Sequence, residues 1–444
     1  YKTITNIAKE LRNGGGPVIV EALTFRMRGH EEASGTDYIP KSLFDKWSKK
    51  DPILSFKKYL KTKKILNKKE QEKIDNKIAE MITPSFEYAF DSNDPESDET
   101  NELNDVFKVY DFKKVDASNS KVEKRYVDAI SETLNSIMQN DKKTIIMGQD
   151  ISEYGGVFKI TKDFLEDFGA DRVRNTPIIE SGILGASIGL ALEGYKPIVE
   201  MQFADFVTCG FNQITNNIAK TYYRWNESLN ITIRMPYGGG MAAGPFHSQS
   251  PESWFFHTPG LKIVAPSTPQ DAKGLLISSI NDPNPVLYFE HKYMYRSIKG
   301  MVSENDFNIE IGKADIKKSG SDLSVITYGM GVHWALDVAK KLETKDINIE
   351  VVDLRSLLPW DKELVEKSLT KTNRALILHE ANLTGGIGAE ISAYIAEHCF
   401  KFLDAPVVRV ASIDTPIPFA SKIEKEIYLP VNKIEQKINE LLNF

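Results

Sequence analysis

From Tyr126 to Val410, short β-branched and aliphatic runs alternate with segments of helical period, and few folds accept that pattern. A helix beginning at Tyr126 would bury Val127, Ile130, Leu134, Ile137 and Met138. Strand-like runs follow at Thr144–Met147, Pro197–Met201, Ile231–Arg234, Lys262–Ala265 and Val286–Phe289, with helices at roughly 210–220 and from Pro269 to Ile280. Strands alternating with helices predict an α/β fold built on a mostly parallel, doubly wound sheet. A second set begins near Asp322. It has strands at Leu323–Tyr328, Ile347–Leu354, Ala375–Leu378 and Val407–Val410, and helices from His333, after Asp361 and from Gly388. It reads as a separate, smaller α/β domain.

Within the first set, Thr176–Gly194 is the most informative stretch. A strand end is followed by one carboxylate, Glu180, and then a small-residue helix. Gly182, Gly185, Ala186 and Gly189 share one face at helical spacing, so something can approach that face closely. Open α/β sheets place ligands where strands give way to helices. Alternatively, Glu180 only offsets the helix dipole.

The N-terminal region differs. Tyr1–Arg12 fits a helix with Ile4, Ile7, Ala8 and Leu11 on one face, ended by Asn13-Gly-Gly-Gly-Pro17. Val18–Leu23 reads as a short buried strand, followed by a polar loop with Arg26, Arg28 and His30, a composition suited to an anionic group such as a phosphate or to plain solvation. Lysine-rich helical patterns run to about Ile82. From Pro84 to Ser120, acidic residues crowd among Ser, Asn and Pro, which reads as an acidic linker. The expected domains are therefore 1–82, a linker at 83–121, 122–310 and 311–444.

A net charge of −6 over 444 residues argues against nucleic-acid and polybasic membrane roles. No apolar run reaches the length of a bilayer span. The two cysteines, Cys209 and Cys399, make neither a disulfide framework nor a zinc site. Tyr1 starts inside a helical pattern without an initiator Met, so the chain is expected to be a fragment or a processed piece.

A glycine-rich loop, Pro236-Tyr-Gly-Gly-Gly-Met-Ala-Ala-Gly-Pro-Phe-His247, ends in a histidine. It lacks the lysine of a P-loop. His247 and His257 could each carry a proton near neutral pH or be buried structural imidazoles; His379 and Glu380 read as structural.

Taken together, these motifs resemble one family. Residues 122–444 are similar to the β subunit of the thiamine-diphosphate-dependent 2-oxo acid dehydrogenase first component. The likeness rests on Asn175-Thr-Pro-Ile-Ile-Glu-Ser-Gly182, Gln202-Phe-Ala-Asp205, His247-Ser-Gln-Ser-Pro-Glu252, His257-Thr-Pro-Gly260 and Asp353-Leu-Arg355. It continues through His379-Glu-Ala381, Leu383-Thr-Gly-Gly386 and Asp414-Thr-Pro-Ile-Pro418. Residues 1–82 resemble the C-terminal part of the α subunit, through Thr24-Phe-Arg-Met-Arg-Gly-His30 and Trp47–Pro52. The acidic linker would fuse α to β. His-Ser-Gln-Ser-Pro-Glu and Gln-Phe-Ala-Asp lie nearer the branched-chain enzymes than the pyruvate ones.

The resemblance implies a transketolase-like fold: a pyrimidine-binding domain, a smaller C-terminal domain, and a partial diphosphate-binding domain ahead of them. It implies oxidative decarboxylation of a 2-oxo acid and transfer of the acyl group to a lipoyl arm of the acyltransferase component. Glu180 would hydrogen-bond the cofactor's pyrimidine, with Ile178, Gln202 and Phe206 lining the pocket; many relatives carry tyrosine at the Phe206 position. His247 would move a proton near the substrate, and Arg26 and His30 would meet the diphosphate and the reacting centre. Glu31 and Glu32 occupy the place of a serine phosphorylated in animal mitochondrial relatives, which argues against that regulation. A potassium ion is expected from Leu229, Ile231, Thr232, Asp282 and Asn284. The family's Gly-Asp-Gly motif for magnesium and diphosphate does not occur in these 444 residues, so this chain by itself is expected to bind the cofactor weakly or not at all. A two-fold homo-oligomer in the cytoplasm is expected. The competing readings are a pyruvate or acetoin enzyme, a catalytically incomplete scaffold that docks on the acyltransferase core, and, more distantly, a 1-deoxyxylulose-phosphate synthase.

Overall fold

The computed structural model describes every residue except Glu32 and Ser97. The chain divides into two compact units, Tyr1–Ser97 and Asp98–Phe444.

The first unit is helical. Its helices are Lys2–Arg12, Lys41–Ser48, Pro52–Thr62 and Lys68–Asp91. Asp51 caps the third, accepting Leu54 N at 2.9 Å with Pro52 in the first turn, and Asn67 caps the fourth through Glu70 N at 2.9 Å. None of the four buries a residue. Phe25, Phe44 and Trp47 form a local aromatic group, with ring centroids 5.3 and 6.0 Å from Phe25.

Two expectations fail in this unit. Val18–Leu23 is not a buried strand: it is irregular, with Ile19 97% and Leu23 82% exposed. No strand among the described residues of this unit offers it a ladder, and an unpaired apolar run has no backbone partner to hold it extended. The helical pattern also runs past Ile82 and through Pro84 to Asp91. On so exposed a helix, solvent can reach the carbonyl that proline leaves without a donor.

In the second unit, residues after the Glu99–Asn104 helix lie against the folded domain instead of hanging free. Three asparagine side chains pair with this segment's backbone as a strand would. Asn284 accepts Lys108 N (2.7 Å) and donates to Lys108 O (2.9 Å). Asn308 accepts Val115 N (2.7 Å) and donates to Lys113 O (2.8 Å). Asn305 accepts Ser118 N (2.8 Å) and donates to Asp116 O (3.0 Å).

Fourteen strands follow among the described residues: β1 Lys121–Arg125, β2 Thr144–Gly148, β3 Val173–Asn175, β4 Lys196–Glu200, β5 Thr232–Tyr237, β6 Lys262–Val264 and β7 Val286–His291. The rest are β8 Lys299–Ser303, β9 Asp315–Lys318, β10 Leu323–Thr327, β11 Ile349–Asp353, β12 Ser356–Leu358, β13 Ala375–Asn382 and β14 Val408–Ser412. The main sheet runs β12-β6-β7-β5-β4-β2-β3, parallel except for β12. A second sheet runs β14-β13-β10-β11-β9, parallel except for β9. β1 and β8 form an antiparallel pair.

The C-terminal domain has its own sheet but is not detached. It lends β12 to the main sheet, and one core runs from Val199, Ile233 and Phe289 to Val352, Leu354 and Ile377. Burying apolar side chains from both sheets together makes the pair one body. The helix expected at 210–220 is irregular. A 3₁₀ segment, Ala204–Gly210, is followed by a π turn, Gln213–Asn217, and a second 3₁₀ turn, Ile218–Lys220. No described helix is long and apolar enough to cross a membrane.

Candidate active site

The carboxyl ends of the parallel strands share one rim of the main sheet, and the candidate residues follow those ends. β2 ends at Gly148 and leads into Gln149 and Asp150; Thr176 N donates to Gly148 O (2.9 Å), tying the turn after β3 to the same place. That turn delivers Glu180 as the first residue of the Glu180–Leu192 helix. Glu180 is 7% exposed, and its Oε1 accepts Gln149 Nε2 at 3.0 Å. No hydrogen bond to its Oε2 occurs among the described residues. A buried carboxylate with one oxygen held and the other uncommitted can accept from, or exchange a proton with, a ligand nitrogen.

Of the other expected pocket residues, Ile178 stands 85% exposed, on open surface. Gln202, after β4, donates its Nε2 to Asp150 Oδ2 (3.2 Å). Phe206 and Phe203 both meet the imidazole of His247 edge to face, with centroids 5.6 and 4.9 Å away. The 3₁₀ segment links the two centres. Phe206 touches His247, and Gly210 abuts the backbone of Glu180, where a Cβ would come within 3.6 Å of its carbonyl. Along the helix, a Cβ at Gly185 or Gly189 would meet nothing within 4 Å, so the small-residue face is open in this chain.

Several contributors carry little local signature. Gln149 and Asp150 sit in a loop, 148–156, in which only Gly148, Gly155 and Gly156 stand out in the sequence. Lys292, at the end of β7, is buried beneath the Phe203 ring at 5.7 Å. Desolvation pushes its ammonium down to about 8, against the pull of Asp205, Glu380 and Glu424. It lines a cleft of about 640 Å³ with Phe158, Gly240, Met241 and Tyr293. Glu380 meets His291 Nε2 at 2.6 Å; burial raises its carboxyl, but His291 and the Gly239 amide more than offset this and hold it low. Glu252 accepts the Tyr328 hydroxyl at 2.6 Å, and burial raises it to about 7. His379 is structural: burial takes it down to about 4, and its Nδ1 meets Ala381 O at 3.1 Å. His257 is exposed, not buried.

Arg26 and His30 are exposed residues of the first unit. Glu31 accepts Ser34 Oγ at 3.4 Å, and Glu32 lies outside the described residues. Most of the residues expected around potassium already have hydrogen-bond partners within the protein. Asp282 Oδ2 is bonded by Lys262 Nζ at 2.5 Å, while its Oδ1 accepts both Asn284 N and Nδ2 at 2.9 Å. The Asn284 carboxamide is otherwise committed to Lys108. Leu229 O and Ile231 O accept backbone amides from Ile231 and Val286; only the Thr232 hydroxyl is unpartnered. No group of three His, Cys, Asp or Glu side chains among the described residues could hold a metal.

The chain matches three family models: the dehydrogenase E1 component over residues 2–98, the transketolase pyrimidine-binding domain over 123–297, and the transketolase C-terminal domain over 312–434. It is 47% identical over 322 residues to the 2-oxoisovalerate dehydrogenase subunit beta of Bacillus subtilis (strain 168), covering 72% of this chain and 98% of that protein. It is 42% identical over 321 residues to the pyruvate dehydrogenase E1 component subunit beta of Staphylococcus aureus, with the same coverages. A solved chain described as a split gene transketolase, inactive beta4 tetramer, shares the fold with a TM-score of 0.60 at 23% identity, covering 72% of this chain and 98% of that one. With Glu180 on the strand-end rim of a pyrimidine-binding domain, the chain belongs to the E1 family of thiamine-diphosphate-dependent 2-oxo acid dehydrogenases, on its branched-chain side.

Proposed function

We propose that this chain supplies the pyrimidine half of the active site of an E1 enzyme acting on branched-chain 2-oxo acids, and that the acyl group passes to a lipoyl arm of an acyltransferase partner. The observation that carries the proposal is Glu180, a buried carboxylate steadied on one oxygen by Gln149. When bound, thiamine diphosphate supplies the carbon centre at which the 2-oxo acid loses carbon dioxide. Glu180 Oε2 is free to bind a protonated pyrimidine nitrogen and to exchange its proton. Gln202 and Phe206 would wall the ring, with Ile178 covering it from the open side. His247, set between two phenylalanine rings, is the proton carrier for the acyl-transfer half. Arg26 and His30 would face the diphosphate.

Magnesium would enter with the diphosphate on ligands from another segment or subunit, since this chain offers no acidic cluster among its described residues. We assign no role to potassium. The open Gly185–Gly189 face is proposed to meet a second copy in a two-fold assembly, and two unpaired cysteines suit a cytoplasmic, reducing location. A pyruvate enzyme is the second reading, favoured by the 42% identity to the Staphylococcus aureus protein.

An artificial-acceptor decarboxylation assay on the full-length gene product, with thiamine diphosphate and magnesium, tests the proposal. It compares the three branched-chain 2-oxo acids with pyruvate. Faster turnover of the branched acids is expected. A preference for pyruvate moves the substrate assignment, and a folded protein inert to all four acids overturns the enzymatic reading.

A further inference from the structure

The loop that carries His247 is held by carboxylates from elsewhere in the fold. It leaves β5 at Gly238, whose φ is +89°, and closes on itself through Gly238 N donating to Gln249 O at 3.1 Å. Between those ends lie Gly240 at φ +87°, Ala242 at +54° and Gly244 at +74°. So glycine-rich a segment has many conformations to lose, and no ladder of its own to hold it.

Three carboxylates supply the missing order. Gln249 N donates to Asp205 Oδ1 (3.0 Å), in the 3₁₀ segment of the pyrimidine-binding domain. Gly239 N donates to Glu380 Oε1 (2.5 Å), at the end of β13. Glu424 takes two amides, Gly240 N on Oε1 (2.8 Å) and Ala242 N on Oε2 (2.9 Å). Left-handed residues interleaved along a loop turn successive N–H groups to one side, a natural cradle for an anion. Here the cradle is filled by a side chain of the C-terminal domain. Glu424 is fully buried at the start of the π turn Glu424–Tyr428, and no basic side chain among the described residues pairs with it at salt-bridge distance. Among the described residues its side-chain hydrogen bonds run only to this loop, so its carboxylate does not serve to hold a distant part of the C-terminal domain.

We propose that Glu424 is a positioning residue: by gripping the amides of Gly240 and Ala242 it sets where His247 stands against Phe203 and Phe206, so that the C-terminal domain governs the proton-transfer step. The inference rests on the reading of His247 as the proton carrier. Glu424→Gln tests the grip, because a carboxamide can offer only one acceptor oxygen and turns an N–H₂ towards the other amide. Glu424→Asp keeps the charge on a shorter arm.

Hydrogen–deuterium exchange of the full chain reads the loop without any activity. In Glu424→Gln, exchange across 238–250 should rise by at least about tenfold while β5 and β7 stay protected, and Glu424→Asp should fall between that variant and wild type. The kinetic arm uses lipoyl acylation by the full-length product. The kcat should drop about tenfold in Glu424→Gln with KM for the lipoyl domain unchanged, and Glu424→Gln added to His247→Ala should cost nothing further. Unchanged loop exchange, or losses that add in full to those of His247→Ala, would overturn the proposal. Wild-type protein that turns over no 2-oxo acid would instead count against the enzymatic reading, and the exchange comparison would still decide whether Glu424 orders the loop.

Discussion

Gln149 Nε2 reaches Glu180 Oε1 across 3.0 Å, from the end of β2 to the head of the helix that follows β3. That bond fixes one carboxylate oxygen and leaves the other directed by it. A hydrogen bond to a charged group contributes about 1.5–3 kcal/mol. Gln149→Ala is therefore expected to lower the decarboxylation rate by ~10-fold or more and to lower the melting temperature by a few degrees. Steady-state assay and scanning calorimetry on the same preparation check both halves.

Glu252 gives a pH signature. Its carboxyl is buried, pushed up to about 7 by desolvation, and accepts Tyr328 OH, while its Oε2 has no partner among the described residues. The folded state therefore holds this proton to higher pH than the unfolded chain does. The stability it contributes is full below the ordinary carboxylate range and is lost as pH rises through about 7. Between pH 5 and 8, the wild type should lose up to roughly 3 kcal/mol relative to Glu252→Gln, whose curve stays flatter across that window. Denaturant titrations at several pH values measure the difference.

Arg234, a residue of β5, has no exposure. It pairs with Glu200 at 2.5 Å and with Glu290 at 2.6 Å, and Tyr295 OH donates to Glu290 Oε2 at 2.7 Å. Arg234→Met strands two buried carboxylates and should cost about 3–5 kcal/mol. Replacing all three together, with Glu200→Gln and Glu290→Gln, should restore much of that loss. Urea midpoints of the single and triple variants make the comparison.

The strap at 108–118 is testable by proteolysis. Asn284→Ala with Asn308→Ala removes four of the side-chain bonds that hold it. Tryptic cleavage at Lys108, Lys113 or Lys114 should accelerate about tenfold, while the β4 and β5 region stays intact. Equal cleavage rates would show that the segment is held by other means.

Much of this architecture is visible in the sequence because alternation reports burial directly. The parallel strands of the main sheet are buried on both faces, and the Tyr126–Asn140 helix buries Val127, Ile130, Leu134 and Met138 as its period requires. Glu180 is visible as a lone carboxylate at a strand–helix joint. What stays hidden depends on partners far along the chain. Glu380 meets His291 across 89 residues and Gly239 across 141, and no local pattern announces either meeting. Val18–Leu23 shows the converse error: an apolar run looks like a strand, yet becomes one only where another strand pairs with it. The 210–220 region has helical composition, but local patterning does not distinguish an α-helix from the π and 3₁₀ turns that form there.

The most direct test of the central claim compares wild type with Glu180→Gln in 2-oxoisovalerate decarboxylation by the full-length product. Glutamine keeps the shape and the bond to Gln149 but cannot exchange a proton. A fold-neutral loss of at least about 10³ in turnover is expected. A variant that retains wild-type turnover would remove Glu180 from the chemistry.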